Sequence, residues 1–403
     1  MSIEIVKGFR DILPPDSVKR QKIKNIIEKN FILFGFLPIE TPSIEYDEFA
    51  KGDNENDESV SDRFKLKDKG NRNLSLRYEF TFQLKRIFKE NLNIKTPFRR
   101  YQIGSNFRDE PIRKNSSREF TQCDADIIGE QDINADAECI ALGDKICKDL
   151  NIKYILKINN KKLVNSILEK SEINNRDQVC REIDKIDKIG EEEVKNNLSK
   201  LIEKNKAYKL IQLLKKDIGF FIKENYNGAQ EISNLIKLCK NYKIKTEFSP
   251  FLIRGLSYYT GTIFEAYVKE INGSVFAGGR YDNLFGKYIN RQIPAVGISF
   301  GRILDYPNIK IENIKCILIS INQDKKTIDL MTNLRNNNIS CFMMNKINKS
   351  LDYASKSEIP YVIFIGNKEI KEKKIKLRNI IKGKEKLFSE RNLISFLKKE
   401  TTK

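Results

Sequence analysis

Residues 251–268 read FLIRGLSYYTGTIFEAYV, a run of aromatic and β-branched side chains that predicts a β-strand. Two stretches of the same character follow, SVFAGGRYDNLF at 274–285 and PAVGISFGRIL at 294–304. Earlier in the chain, residues 97–129 predict two more strands, joined by a long polar loop. We therefore expect these segments to pair as one antiparallel sheet in a core of the α+β class. A packed apolar sheet has no use for Arg254, which indicates that this strand contributes to a binding site.

The rest of the chain falls into segments of different composition. Residues 17–34 place apolar side chains at helical spacing, and Pro42 beyond them marks a sheet edge or an interface. A proline-free stretch rich in Lys, Asn and Glu predicts inserted helices, and the C-terminal text alternates strand and helix. The predicted segments are 1–150 (first part of the core), 151–244 (helical insertion), 245–311 (second part of the core) and 312–403 (small α/β domain).

The charge of the chain is strongly positive. Its 403 residues include 74 Lys and Arg against 55 Asp and Glu, a formal net charge of +19. Such an excess attracts polyanions through counterion release, which favours nucleic acid as a partner. A genome rich in A and T would raise the lysine content of every protein, and this alternative explains the charge equally well.

Several classes of protein are excluded by what the sequence lacks. No apolar run approaches the length of a membrane span and the N-terminus has no secretory signal, so we expect a cytoplasmic chain with no membrane contact. Seven scattered cysteines without a C-x-x-C pair indicate reduced thiols. The absence of histidine excludes Ser-His-Asp triads and HExxH zinc sites, and we expect no metal site made by protein side chains alone.

A phosphate ligand, if the chain binds one, needs a binding site other than the common glycine-rich motifs. The sequence contains neither a P-loop nor a Gly-x-Gly-x-x-Gly segment after a strand. The polar loop of 97–129 contains Arg108, and a guanidinium on an extended backbone can donate two parallel hydrogen bonds to phosphate oxygens. A solvated basic loop without a ligand is the alternative interpretation.

The order of short motifs carries a resemblance to a known family. FRDE (107–110), REFTQCDADIIG (118–129), RGLSYYTG (254–261), AGGRYDNL (277–284) and PAVGISFG (294–301) follow one another. Together they resemble the histidyl-tRNA synthetases, a family of class II aminoacyl-tRNA synthetases. The similarity runs from GFRDILPP, which starts at residue 8, into the C-terminal domain.

The resemblance implies an architecture and an activity. It implies an antiparallel catalytic core, a helical insertion, a C-terminal anticodon-binding domain, and a homodimer formed through residues 18–42 with Pro42 at the interface. The implied reaction is the ATP-dependent conversion of histidine to histidyl-adenylate and its transfer to the 3′ end of histidine tRNA. ATP would enter with bound Mg²⁺.

The resemblance also implies roles for individual residues. Arg108 and Arg254 are the implied catalytic residues, because they stand where the family stabilises charge on the α-phosphate. The implied histidine-binding residues are Glu79, Thr81 and Gln122 for the ammonium group and Asp126, Tyr258 and Tyr259 around the imidazole. The implied ATP-binding residues are Arg108, Glu110, Arg118, Gly279 and Arg302. Gly278, Arg280 and Tyr281 are expected to line the same pocket.

Three positions depart from the family pattern. Ser257 replaces the usual aspartate before the tyrosine pair. The loop NSSREF (115–120) keeps only Arg118 of the usual cations, so that Arg113 or Lys114 is a candidate substitute. In the third family motif, the arginine that would stack on adenine is either Arg302, after a local deletion, or missing.

Two alternative functions follow from these departures. One is a histidine-sensing regulatory subunit of ATP phosphoribosyltransferase, and the other is an RNA-binding module without turnover. The regulatory subunit lacks an anticodon-binding domain, whereas residues 313–400 resemble one. A module that only binds RNA has no need for both substrate-binding and phosphate-binding residues.

Overall fold

The computed structural model describes residues 3–50, 62–112, 117–253, 258–271, 273–289, 292–309 and 314–401. The chain divides into two compact units, Met1–Ile309 and Lys310–Lys403. No helix among the described residues has both the length and the apolar character needed to cross a bilayer.

Strands of the first unit form a large sheet and a small one. They are β1 (Leu37–Pro38), β2 (Ile44–Tyr46), β3 (Lys65–Lys67), β4 (Asn73–Leu76), β5 (Phe98–Phe107), β6 (Glu119–Ile128), β7 (Ile155–Asn160), β8 (Glu247–Phe248), β9 (Thr262–Tyr267), β10 (Ser274–Arg280) and β11 (Ala295–Phe300). Among the described residues the large sheet has eight strands in the order β1-β5-β6-β11-β10-β9-β7-β8, and β2-β4-β3 form the small sheet.

The large sheet is antiparallel only in its centre. All neighbours from β5 to β7 along that order run antiparallel, which confirms the predicted core. The edge strands β1 and β8 run parallel to β5 and β7, so the sheet as a whole is mixed around its antiparallel core. Both edge pairs join only two residues, and short edge strands tolerate either direction because few ladder hydrogen bonds depend on it.

Helices cover the large sheet and continue in the segment between β7 and β8. They are α1 (Asp16–Leu33), α2 (Asp47–Ala50), α3 (Gln83–Glu90), α4 (Asn134–Asp149), α5 (Lys161–Lys170), α6 (Arg176–Ile183), α7 (Ile186–Ile189), α8 (Glu191–Leu201), α9 (Lys204–Leu213), α10 (Ile218–Lys223), α11 (Ala229–Asn241), α12 (Gly286–Ile289) and a 3-10 helix (Arg302–Asp305). The helices after β7 share one apolar core with the sheet.

The alternation of residues along β6 creates two different faces of the sheet. Cys123, Ala125 and Ile127 are completely buried in the apolar core, with side chains of α1 and α4. Side chains alternate between faces along a strand, so Asp124 and Asp126 turn to the opposite face. One face of the sheet is therefore apolar and helix-covered, and the other carries buried acids.

Two predicted element boundaries differ from the structure. Residues 251–268 were predicted as one strand, but β9 begins at Thr262. Residues 151–244 were predicted as helical, but their first element is β7, which pairs with β9 inside the large sheet. The sequence ILKINN of β7 is too short to separate a buried strand from a helix by periodicity.

The second unit is a small α/β domain, as predicted. Its strands are β12 (Cys316–Ser320), β13 (Cys341–Met344), β14 (Tyr361–Ile365), β15 (Ile375–Asn379) and β16 (Glu385–Phe388), and its helices are α13 (Asp324–Asn336), α14 (Ile347–Lys356), α15 (Asn367–Lys371) and α16 (Glu390–Thr401). The sheet order is β13-β12-β14-β15-β16, with parallel pairs around β12 and antiparallel pairs beyond β14. Apolar clusters lie on both faces of this sheet.

Candidate active site

A cleft of about 1260 Å³ opens on the polar face of the large sheet. Residues before and after the helical segment meet on its wall, because the strand order places β6 beside β11 and β10. The predicted site residues on this wall are Glu79, Thr81, Arg108, Glu110, Gln122, Asp126, Tyr258, Tyr259, Gly278, Tyr281 and Arg302. Arg254, Ser257, Arg113 and Lys114 lie outside the described residues.

Asp126 is held in one orientation deep in the cleft. Its carboxylate forms an ion pair with Arg100 at 2.6 Å and accepts a hydrogen bond from the Tyr281 hydroxyl. Burial raises the pKa of Asp126, and the neighbouring guanidinium of Arg100 opposes that rise. Gly297 lies beside it on β11, where a Cβ atom would come within 2.0 Å of the Asp126 carboxylate. The acid is thus a fixed hydrogen-bond acceptor that requires glycine on the adjacent strand.

Arg100 is a functional residue that the sequence interpretation missed. Its side chain is completely buried, and it also donates to the carbonyl oxygen of Phe80 at 3.1 Å. A buried guanidinium is stable only when it is paired with charge, and Asp126 supplies that charge. The feature that could have identified it is an arginine at an inward position of β5, opposite Asp126 in the strand register.

Glu79 lies at the entry to α3 with both carboxylate oxygens already engaged. They accept the backbone N–H groups of Thr81, at 2.8 Å, and of Phe82. Burial raises the pKa of Glu79, and these hydrogen bonds oppose the rise. A carboxylate has about four lone-pair sites, so Glu79 can still accept from a ligand.

Three tyrosines form an aromatic wall near Asp126. The ring of Tyr258 lies 5.0 Å from that of Tyr259 and 5.6 Å from that of Tyr281, measured between centroids. Burial raises the pKa of the Tyr258 hydroxyl well above its ordinary value, so it stays a neutral donor. Gly279 lies beneath Tyr259, because a Cβ atom there would come within 2.8 Å of the ring. Gly279 therefore shapes the pocket by admitting Tyr259 rather than by lining the cleft.

A chain of polar side chains crosses three strands beside this wall. The Asn106 amide donates to Gln122 Oε1 at 2.6 Å, and Gln122 Nε2 donates to Ser299 Oγ at 2.9 Å. The Ser299 hydroxyl in turn donates to Asp124 Oδ1 at 2.5 Å. Burial raises the pKa of Asp124 to about 7. Sequence interpretation identified only Gln122 of this set, although the acid alternation in QCDADIIG was a signal for Asp124.

Arg108 lines the cleft and lies close to two aromatic rings. Its guanidinium carbon lies 4.2 Å from the Tyr78 ring centroid and 4.9 Å from that of Phe120. Its nearest described carboxylate partner is Glu110, at 3.6 Å. The N–H groups of a guanidinium point outward in its plane, so Arg108 can contact both rings and still donate hydrogen bonds to an anion.

Two predicted pocket residues have structural roles in the described chain. The guanidinium of Arg280 lies on Asp136 of α4, with Nε at 3.0 Å from a carboxylate oxygen, and donates to the Glu130 carbonyl at 3.0 Å. The prediction that Arg280 lines the pocket is therefore wrong, because its side chain joins β10 to α4. Arg118 pairs with Asp109 at 2.9 Å and packs over Gly8, which lines the cleft, but its own side chain is not part of the cleft wall.

The N-terminal segment and the 3-10 helix bound the other end of the cleft. Asp305 pairs with Arg10 at 3.3 Å and with Arg20 of α1 at 2.6 Å. Arg302 also lies on the wall, beside Gly273, where a Cβ atom would come within 3.2 Å of it. Sequence interpretation missed Arg10 and Arg20. Among the described residues no cluster of His, Cys, Asp or Glu could hold a metal ion.

Sequence comparisons match both units of the chain. The family model "Histidyl-tRNA synthetase" matches residues 8–302, and the model "Anticodon binding domain" matches residues 315–400. The chain is 34% identical to histidine–tRNA ligase 1 of Bacillus cereus, over 96% of this chain and 95% of that protein. It is also 34% identical to the histidine–tRNA ligase of Clostridium tetani, over 98% of each chain.

Solved structures share the fold. The histidyl-tRNA synthetase of Nostoc sp. PCC 7120 superposes with a TM-score of 0.87 at 24% identity, covering 99% of this chain and 100% of that one. A Bacillus halodurans structure described as an ATP phosphoribosyltransferase regulatory subunit/histidyl-tRNA synthetase gives a TM-score of 0.74 at 23% identity, over 90% of this chain and 98% of the other. At these identities the likeness establishes architecture alone.

Proposed function

The chain belongs to the histidyl-tRNA synthetase family, and from that premise we propose that it is a histidine–tRNA ligase. In the first step the histidine carboxylate attacks the α-phosphorus of ATP, and pyrophosphate leaves as histidyl-adenylate forms. In the second step a hydroxyl of the terminal ribose of histidine tRNA attacks the acyl carbon, and AMP leaves. The observation that carries the proposal is that one cleft holds on its wall both a fixed buried acid, Asp126, and a guanidinium, Arg108.

We assign histidine recognition to the acidic end of the cleft. Asp126 accepts one imidazole N–H, and Tyr259 is the second partner of the ring. Glu79, Thr81 and Gln122 receive the ammonium group. The arrangement of Asp126 supports this assignment, because its orientation is held by Arg100 and Tyr281 before any ligand arrives.

We assign ATP to the end of the cleft that holds Arg108. Its guanidinium grips the α-phosphate, and Arg254 adds a second positive charge as the charge on that phosphate grows. Mg²⁺ arrives with ATP and neutralises its other phosphates. Glu110 and Arg302 are the further ATP contacts that we propose, with Arg302 on the adenine. Both lie on the cleft wall, which supports this arrangement.

We assign tRNA binding in part to the second unit. The match of residues 315–400 to an anticodon-binding model supports this. Lys and Arg outnumber Asp and Glu in these residues, as a phosphate-binding surface requires. A regulatory subunit of ATP phosphoribosyltransferase has no use for such a unit, so this second candidate is not favoured. The use of tRNA leads us to propose a cytoplasmic location.

We also propose that the chain forms a homodimer. Ile32 and Leu33 end α1 at 60% and 66% exposure, and Leu37 of the edge strand β1 is 66% exposed. Apolar side chains at an exposed sheet edge favour association with a second copy. Light scattering of the purified protein measures the mass directly, and a monomer at micromolar concentration would contradict the proposal.

The test of the proposed activity is ATP–pyrophosphate exchange by the purified protein. We expect exchange with histidine and with none of the other amino acids. Aminoacylation of histidine tRNA then tests the second step. Histidine binding without exchange would overturn the ligase and favour a regulatory subunit, whereas exchange driven by another amino acid would overturn the assigned specificity.

A further inference from the structure

The polar chain from Asn106 to Asp124 crosses β5, β6 and β11 on the floor of the cleft. Asn106 and Asp124, at its two ends, are buried, and Gln122 and Ser299 lie between them on the cleft wall. Each member donates one hydrogen bond to the next, over 2.5 to 2.9 Å. The chain therefore has a direction, which runs from Asn106 toward Asp124.

This direction is set by the hydroxyl of Ser299. A hydroxyl has one proton, and here Asp124 Oδ1 accepts it. Ser299 can then only accept from Gln122, so the amide must turn its NH₂ group toward Ser299 and its oxygen toward Asn106. The second amide proton and the second lone pair of Gln122 remain for a ligand in the cleft.

We propose that Asp124, acting through Ser299, is a positioning residue that sets the amide orientation of Gln122 and thereby the affinity of the cleft for histidine. The proposal rests on the proposed function only in naming histidine as the ligand. A proton on Asp124 Oδ1 would make the acid a donor to Ser299. The hydroxyl would then donate to Gln122, which requires the amide oxygen to face Ser299 and presents the opposite groups to the ligand.

The charges around Asp124 determine where that proton binds. Burial is the largest influence, and the like charges of Asp126 and Glu79 add to it, while Arg100 and the Ser299 hydrogen bond oppose it; the resulting pKa is about 7. The chain has no histidine, the side chain that ordinarily titrates near neutrality. The ionised form holds the observed orientation, so histidine affinity is present above pH 7 and lost as the pH falls through 7.

The test is the dissociation constant of histidine, measured by calorimetry between pH 6 and pH 8.5. The ionised fraction of Asp124 falls from about nine-tenths at pH 8 to about one-tenth at pH 6, so the constant rises about tenfold over that range. Asp124→Asn cannot ionise, so we expect the part of this rise that comes from Asp124 to disappear. The imidazole of the ligand titrates with a pKa of about 6.5 in every variant, and the difference between variants isolates Asp124.

Ser299→Ala interrupts the series of hydrogen bonds between Asn106 and Asp124. We expect it to raise the dissociation constant of histidine about tenfold at pH 8, the effect of one lost hydrogen bond. Ser320→Ala is the matched control, because it removes the same kind of serine–aspartate hydrogen bond, to Asp324, in the second unit. We expect it to leave histidine binding unchanged. Thermal melting verifies that Ser299→Ala is folded, and the Asp124→Asn comparison does not depend on that variant.

Equal pH dependence in the native protein and Asp124→Asn would overturn the inference, as would native affinity in folded Ser299→Ala. Because binding is measured without turnover, these outcomes are independent of pyrophosphate exchange. If pyrophosphate exchange is absent but histidine binding keeps its pH dependence, the ligase activity is refuted and the positioning role remains supported. Absence of histidine binding at every pH would overturn both.

Discussion

The charges of single residues determine what the acidic end of the cleft can bind. Glu79, Asp124 and Asp126 all lie within the field of one buried cation, Arg100. Burial raises the pKa of each acid because the charged form is costly there. A ligand that brings its own positive charge relieves this cost. The ammonium group of an amino acid has the charge that this cluster lacks.

The first prediction at this scale is for Asp126→Ala. The change removes the acceptor assigned to the imidazole and leaves Arg100 buried without its partner, so histidine affinity should fall at least about a hundredfold. Calorimetry measures it, with Asp177→Ala, an exposed acid at the start of α6, as control. If the variant kept its selective affinity for histidine, another group would have to recognise the imidazole.

The second prediction concerns Arg254, whose position lies outside the described residues. Arg254→Ala removes a charge proposed to act on the α-phosphate during the reaction rather than on bound histidine. We expect ATP–pyrophosphate exchange to fall by on the order of a thousandfold while the dissociation constant of histidine changes less than about threefold. Unchanged exchange would refute the assigned role.

At the scale of elements, the contact between β6 and β11 shapes the site. Asp126 is opposite Gly297, and Gly297 is opposite Gly279 on β10, so two glycines occupy the register position of the acid. Their missing side chains make room for the Asp126 carboxylate and the Tyr259 ring. These two glycines therefore leave space on the polar face of the sheet where the ligand is expected to bind.

The prediction at this scale is for Gly297→Ala. The added methyl group would overlap the Asp126 carboxylate, so the acid must move, and we expect the histidine KM in pyrophosphate exchange to rise at least about tenfold. Gly286→Ala in α12 is the control, since its nearest neighbour, Gln292, is 3.9 Å from the added atom. Equal KM values for both variants would show that the close approach has no part in binding.

At the scale of the whole molecule, the net charge of +19 acts on the large polyanionic substrate more than on the small one. Contacts between lysine or arginine and tRNA phosphates release counterions and weaken with salt. We expect the tRNA KM in aminoacylation to rise at least about tenfold between 50 and 200 mM salt. The histidine KM in exchange should change less than about twofold, because the cleft acids are buried and poorly screened. Parallel salt dependence of both constants would contradict this separation.

Short motifs in a fixed order identified the family and the main architecture without any coordinates. The family resemblance implied an acid of the site at Asp126, which the alternation of apolar and acidic residues did not identify by itself. The alternating strands and helices after residue 312 likewise predicted the second unit. These features depend on local periodicity and on short stretches, which a single sequence contains in full.

Which side chains meet became known only from the folded chain. Arg280 was predicted to line the pocket but is buried on Asp136, and the partners of the cleft acids, Arg100 and Ser299, were not identified. The pairs Arg280–Asp136 and Ser299–Asp124 join elements that are far apart in the chain, whereas Arg100–Asp126 joins two neighbouring strands. Their meeting depends on strand register and rotamers, which packing of the whole unit sets and which no local pattern records.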